Sequence, residues 1–175
     1  MVLKKLSVGD RSPRVAEVRA TLARLGRNDA FSAPLADDFR VEETLFDEEL
    51  SELLRAFQQS RGILATGMID ESTLRALREA SYTLGTRVLN FIPGREMVGD
   101  DVVQLQTQLQ ELGFYTVKVD GHYDDSTYDA VKSYQLNSGL TEDGICGPET
   151  VRALSLLGRH LSLIHISEPT RLLSI

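Results

Sequence analysis

Residues 102–113 read VVQLQTQLQELG, and residues 15–26 read VAEVRATLARLG. In the earlier stretch Val15, Val18, Leu22 and Leu25 recur at i, i+3, i+7 and i+10, and Val102, Leu105, Leu109 and Leu112 repeat that series. This spacing lines four apolar side chains along one face of a helix, the face a globular helix turns toward a core. The parallel continues outward. Phe46, Leu54, Phe57, Gln58 and Gly62 in FDEELSELLRAFQQSRGI match Tyr123, Val131, Tyr134, Gln135 and Gly139 in YDDSTYDAVKSYQLNSGL. TGMIDESTLRAL then matches DGICGPETVRAL, with Gly67, Thr73 and Leu77 opposite Gly144, Thr150 and Leu154. Three blocks recurring in one order indicate a duplicated domain.

Each copy reads as three helices, so the expected class is all-α: two tandem three-helix bundles. Ser12 precedes Pro13 at the first helical position, where a missing N–H costs nothing. Asp100 is the expected cap of the matching helix in the second copy. Asp47 and Asp124 stand at the starts of the second helices, Asp70 and Gly147 at those of the third, with Pro148 as a further start signal. Gly26 and Gly113 suit left-handed stops after the first helices, as Gly62 and Gly139 do after the second. The expected boundaries are 7–80 for the first copy, 81–98 for a linker and 99–158 for the second copy. The linker contains Leu84, Val88, Leu89, Phe91 and Ile92, enough apolar surface to dock rather than float. Between its first two helices the first copy carries a longer segment dense in Asp and Glu. Such an insertion is cheap in a loop. It reads either as a solvated acidic loop or as a protein-binding surface through Asp37, Asp38, Glu42 and Glu43.

Across the 175 residues, charged side chains make up 26% and apolar ones 42%, and the net charge is -7. An acidic chain gains little from phosphates, so neither nucleic acid nor an anionic membrane is an expected partner. Tryptophan is absent, which argues against an aromatic sugar platform. The N-terminus lacks the apolar run of a signal peptide, so the chain as written starts in the cytoplasm, and it acts at the cell wall if exported. From Leu161 the sequence LSLIHISEPTRLLSI shifts abruptly in composition. LSLIHISEPTR looks like a translated sequencing adapter, and 161–175 is set aside as such a tail.

The second copy resembles the peptidoglycan-binding domains found on bacterial wall hydrolases. VVQLQTQLQELGFY, VDGHYDDSTYDAVKSYQ and EDGICGPETVRAL follow that family's pattern over Val102–Leu154. The first copy keeps LARLG, LLRAFQQSRGI and TGMIDESTLRAL but lacks the Asp-Gly turn before its second helix. The pair together resembles the N-terminal half of actinobacterial CwlM-type N-acetylmuramoyl-L-alanine amidases, in which a zinc amidase domain follows. The resemblance implies non-catalytic binding of a peptidoglycan stem peptide or muropeptide, with no cofactor. Its alternative is an intracellular protein-interaction module that regulates wall synthesis.

The residues present contain no zinc site. The three histidines, His122, His160 and His165, show no ligand spacing, and Cys146 has no partner cysteine. Cys146 stands where the first copy has Ile69 and reads as a small buried hydrophobe. For ligand binding the candidates are Asp120, His122, Tyr123, Gln135, Asn137 and Asp143. Asp120-Gly121 and Asp143-Gly144 can be turn chemistry alone, or they can present neighbouring side chains to a ligand. Gln135, repeated as Gln58 beside a core aromatic, either bonds backbone at a helix junction or faces a groove.

Overall fold

A computed structural model of the chain describes residues 5–27 and 41–164, in two compact units, Met1–Ser81 and Tyr82–Ile175. The first unit contains α1 (Pro13–Arg27), a 3-10 turn (Val41–Thr44), α2 (Glu48–Ser60) and α3 (Glu71–Ala80). The second contains β1 (Met97–Val98), α4 (Asp100–Glu111), β2 (His122–Tyr123), α5 (Asp125–Asn137) and α6 (Pro148–Ile164). The all-α reading holds. The only ladder among the described residues pairs β1 with β2 antiparallel, Met97 opposite Tyr123 and Val98 opposite His122.

The apolar series enter the cores as their periods require. Val15 and Val18 of α1 pack with Phe46, Leu50, Leu54, Ile69 and Leu77. Val102, Leu105 and Leu109 of α4 pack with Tyr123, Val131, Tyr134, Cys146 and Leu154. Leu22, Leu25 and Leu112 lie at the edges, partly buried. Burial of each of the larger aliphatic side chains contributes about 2 kcal/mol before entropy is counted.

The helix starts follow local hydrogen bonding. Asp47, Asp70 and Asp124 each accept the backbone N–H three residues on, at 2.9, 2.8 and 2.9 Å. Ser12 Oγ accepts from Arg14 N–H at 3.3 Å. Two expectations are corrected. Asp100 is the first residue of α4, and Gly99 occupies the cap position without a side-chain bond. A Cβ on Gly99 would meet Asp101 Oδ1 at 2.6 Å and Arg87 Nη2 at 2.9 Å, so crowding by this ion pair displaces any capping side chain from that position. Gly26 lies inside α1, which runs on to Arg27, whereas Gly113 does take positive φ, at 81°.

Of the expected linker 81–98, Ser81 closes the first unit and 82–98 is an integral part of the second. Leu89 is fully buried in its core and exchanges backbone hydrogen bonds with Cys146, at 3.1 and 2.8 Å. Leu6 does the same with Ile69 at the matching place in the first unit, at 3.1 and 3.0 Å. Arg11 bridges Leu45 as Val98 bridges His122. Each unit therefore opens with an arm that ties down the entries to its second and third helices. The helical run of α6 extends through Ile164, four residues into the stretch set aside as an adapter tail, and 165–175 lie outside the described residues. No helix among the described residues is long and apolar enough to cross a membrane.

Candidate functional site

The polar features of both units centre on glutamines that clasp the loop leading into the next helix. Gln135 follows the core residue Tyr134 on α5 and turns its amide inward. Its Oε1 accepts from Gly144 N–H at 2.9 Å, while Nε2 donates toward Asp143 Oδ1 (2.8 Å), the Ile145 carbonyl (3.0 Å) and Thr150 Oγ1 (3.1 Å). In the first unit Gln58 on α2 repeats the arrangement. Gly67 N–H donates to its Oε1 at 2.8 Å, and its Nε2 reaches Thr66 Oγ1 (3.3 Å), the Met68 carbonyl (3.1 Å) and Thr73 Oγ1 (2.7 Å).

A third clasp lies between α4 and α5. Gln106 Oε1 accepts from Asp120 N–H and Gly121 N–H at 3.1 and 2.9 Å. Its Nε2 is within reach of Tyr115 Oη (3.1 Å), Asp120 Oδ1 (3.1 Å), the His122 carbonyl (2.9 Å) and Thr127 Oγ1 (3.0 Å). Each clasped loop has one layout. A short polar residue, Asp or Thr, closes a tight turn by accepting the backbone N–H two residues on. Glycine follows in the left-handed region, and an apolar side chain then enters the core. A threonine in the next helix sends its hydroxyl back to the loop carbonyl. The sequence reading saw Gln58 and Gln135 but missed Gln106. The recurring spacing from Asp120-Gly121 to Thr127 and from Asp143-Gly144 to Thr150 carried the signal.

Against this geometry the six candidate ligand residues separate. Gln135 is almost wholly buried with its amide committed to the clasp, so it offers nothing to a groove. Tyr123 is fully buried, its hydroxyl donates to the Gly144 carbonyl at 2.8 Å, and burial raises its pKa well above the ordinary value. Neither presents itself to a ligand. Both belong inside because a buried amide or phenol is tolerable only when its hydrogen bonds are made. Asp120 and Asp143 are exposed at the loop tips, with Oδ1 of each bound into the turn. The Ile145 N–H and the Gln135 amide hold the Asp143 carboxyl below its ordinary pKa. For Asp120 partial burial works upward, and the His122 N–H and the Gln106 amide outweigh it, so its pKa also falls. His122 and Asn137 are exposed. His122 Nδ1 lies 3.4 Å from Glu96 Oε2, which brings these two side chains together beside the first clasped loop of the second unit.

Cys146 is fully buried, and burial followed by the nearby Asp101 charge pushes its pKa up to about 12. A thiol held protonated at that level is a packing residue. Its side chain lies in the core cluster with Leu89, Tyr123 and Leu154. Among the described residues no three His, Cys, Asp or Glu side chains gather as metal ligands. Asp37 and Asp38 of the proposed acidic contact lie outside the described residues, and Glu43 is exposed within the 3-10 turn.

Comparison with known proteins gives these arrangements a context. The family model described as "Putative peptidoglycan binding domain" matches residues 11–77 and 98–154. The N-acetylmuramoyl-L-alanine amidase CwlM of Mycobacterium tuberculosis is 50% identical over 157 residues, which is 90% of this chain and 39% of that protein. The spore cortex-lytic enzyme of Bacillus subtilis is 46% identical over 66 residues, 37% of this chain and 22% of that enzyme. Among solved structures, the SleB N-terminal domain is 36% identical with a TM-score of 0.39, covering 43% of this chain and 97% of that one. The chain thus spans well under half the length of these curated relatives.

Proposed function

This chain belongs to the peptidoglycan-binding domain family, which it carries twice, and from that membership we propose that it binds bacterial cell-wall peptidoglycan without itself performing chemistry. Its place is the wall-targeting part of a longer N-acetylmuramoyl-L-alanine amidase. The observation that supports this most directly is the coincidence of the two family matches, 11–77 and 98–154, with the two compact units. The relative of which this chain spans 39% is named as an amidase, which supports the targeting role.

The ligand is a stem peptide or muropeptide, held at exposed positions of the second unit by His122 and the free faces of Asp120 and Asp143 at the clasped turns and by Asn137 at the end of α5. The clasps serve binding by holding these turns in one shape before ligand arrives, which lowers the ordering cost. Two modules on one chain raise retention on a polymer when both reach it. Retention of the purified chain on isolated sacculi, and release by soluble muropeptides, is the test. Failure to sediment with sacculi at any ionic strength overturns the reading. Replacing His122 and Asn137 together by alanine is expected to lower retention while leaving the thermal melt unchanged.

A further inference from the structure

Both units match the same family model, so a ligand contact common to them has to be built from exterior residues that the two copies share. At the ligand positions of the second unit the copies differ: Leu45 stands for His122, Ser60 for Asn137 and Thr66 for Asp143. The corner beside the second clasped turn is alike. Arg55 on α2 corresponds to Lys132 on α5, and Met68, after the turn's glycine, corresponds to Ile145.

In the first unit Arg55 lies along the turn. A Cβ on Gly67 would meet its Nε at 2.8 Å and its Cγ at 3.1 Å, and Met68 follows, 39% exposed. In the second unit the Tyr128 ring covers Gly144, Lys132 Nζ stands 5.7 Å from the centre of that ring, and Ile145 is 38% exposed. Each turn thus sets an apolar side chain in water beside a cation. A lone exposed apolar residue is ordinary on a protein surface. Its recurrence at the same turn, next to the same charge, points to a ligand that uses both. Gln58 and Gln135 hold the two turns rigid, so the corner is formed before a ligand arrives.

A cation beside an apolar side chain suits a carboxylate borne by a residue with a small apolar side chain. The copies differ in how far the cation is already engaged. Arg55 Nη1 is 3.8 Å from Glu48 Oε1, whereas Lys132 Nζ is 3.2 Å from Glu142 Oε1, and Ala65 stands where the second unit has Glu142. A ligand carboxylate must therefore displace a closer acid in the second unit. A guanidinium also takes both oxygens of a carboxylate at once, while an ammonium acts as a point charge.

We propose that this corner is a carboxylate subsite carried once by each unit. Arg55 and Lys132 take the terminal carboxylate of a stem peptide, Met68 and Ile145 pack on the methyl group next to it, and the first unit binds more tightly. The inference rests on the wall-binding reading and adds to it a contact in the first unit.

The probes are a muropeptide ending in alanine with a free carboxylate and the same muropeptide with that carboxylate converted to the amide. Each is titrated into the full chain with backbone amide shifts as the readout. The free acid is expected to move the Gly67 and Met68 signals at lower concentration than those of Gly144 and Ile145. It should bind the first unit about fivefold more tightly than the amide does, the scale of an exposed charge pair. Arg55→Gln should erase that difference, and Arg55→Lys, which keeps the charge, should keep most of it. Glu142→Gln should bring the second unit's affinity up toward that of the first. Equal response to acid and amide, or shifts confined to the second unit, overturns the proposal. A chain that stays on sacculi yet shows no shift at either turn overturns it and leaves wall binding standing, whereas loss of retention as well sinks both.

Discussion

The entry to the second helix is built differently in the two units. Between α4 and α5, Gln106 gathers an Asp-Gly turn, a carbonyl and the Thr127 hydroxyl with one buried amide. At the matching place in α1 stands Arg19, and Leu50 replaces Thr127. Arg19 Nη2 still reaches the carbonyl that corresponds to that of His122, on Leu45 at 3.3 Å, and adds an ion pair with Asp47 Oδ2 at 2.8 Å. The Asp-Gly turn has given way to the longer acidic segment that ends in the 3-10 turn. A glutamine amide serves a loop that offers both donors and acceptors in a dry site, because it carries both functions itself. A guanidinium only donates, so it suits an entry that offers a carbonyl and a carboxylate near solvent. At the second junction of both units the loop keeps its length, its glycine and its threonine partner, and the clasp is kept with it. Within this fold the clasp residue is therefore matched to its loop.

The largest expected effect tests an asymmetry that the second unit alone carries. Asp101 is buried and held by Arg87, whose guanidinium lies 3.7 Å over the Tyr82 ring. Arg87→Leu strands that carboxylate and is expected to cost the second unit about 3 kcal/mol. Urea melts followed by amide signals of each unit would report the loss, with the first unit's signals unmoved. Next come the paired glycines. A Cβ on Gly144 would land within the Tyr128 ring, whereas one on Gly67 meets the movable side chains of Ser51 and Arg55 at 2.6 and 2.8 Å, both at positive φ. Gly144→Ala should cost about 3 kcal/mol and Gly67→Ala nearer 1–2 kcal/mol in the same melts.

The two kinds of junction can be compared directly. Gln106→Leu leaves the Asp120 and Gly121 N–H groups without their acceptor and should cost about 2 kcal/mol. Arg19→Leu removes a pair whose side chains are 27% and 42% exposed, and should cost under about 1 kcal/mol. Equal losses would break the distinction between clasp and ion pair. The smallest effect concerns acid. Hydrogen bonds hold Asp47 and Asp143 below the ordinary value of 3.8, and the same bonds outweigh burial at Asp70 and Asp120. A carboxyl depressed in the folded state stabilises above its unfolded pKa and loses that contribution as pH falls through the folded value. Both units should therefore soften below about pH 4. Asp143→Asn keeps an acceptor oxygen without a charge and should flatten the response of the second unit alone, as read by melting temperature against pH.

Much of this was legible in the residues. The four-residue apolar series, the capping Asp47, Asp70 and Asp124, and the stops at Gly62 and Gly139 depend on near neighbours, and all stand where their patterns place them. The duplication was legible for the same reason, since a helix period survives in both copies. Gln106 was missed because it sits one residue beyond Leu105, at the margin of the apolar stripe, where periodicity does not say which way a polar side chain turns. For Tyr123 and Gln135 the residue types left an interior and a ligand-facing role both open, and the interior claimed them.

The sequence by itself determined the number of units, their helical class and the faces that make their cores, because burial of a periodic apolar face needs no knowledge of the partner's identity. Tertiary structure alone decided that Leu6 and Leu89 are counterparts, that 82–98 belongs to the second unit and that a polar amide lies at the heart of each clasp. Those outcomes depend on contacts between distant residues across insertions of unequal length. A buried polar group settles only where its hydrogen-bond partners converge, and that convergence is a property of the assembled chain.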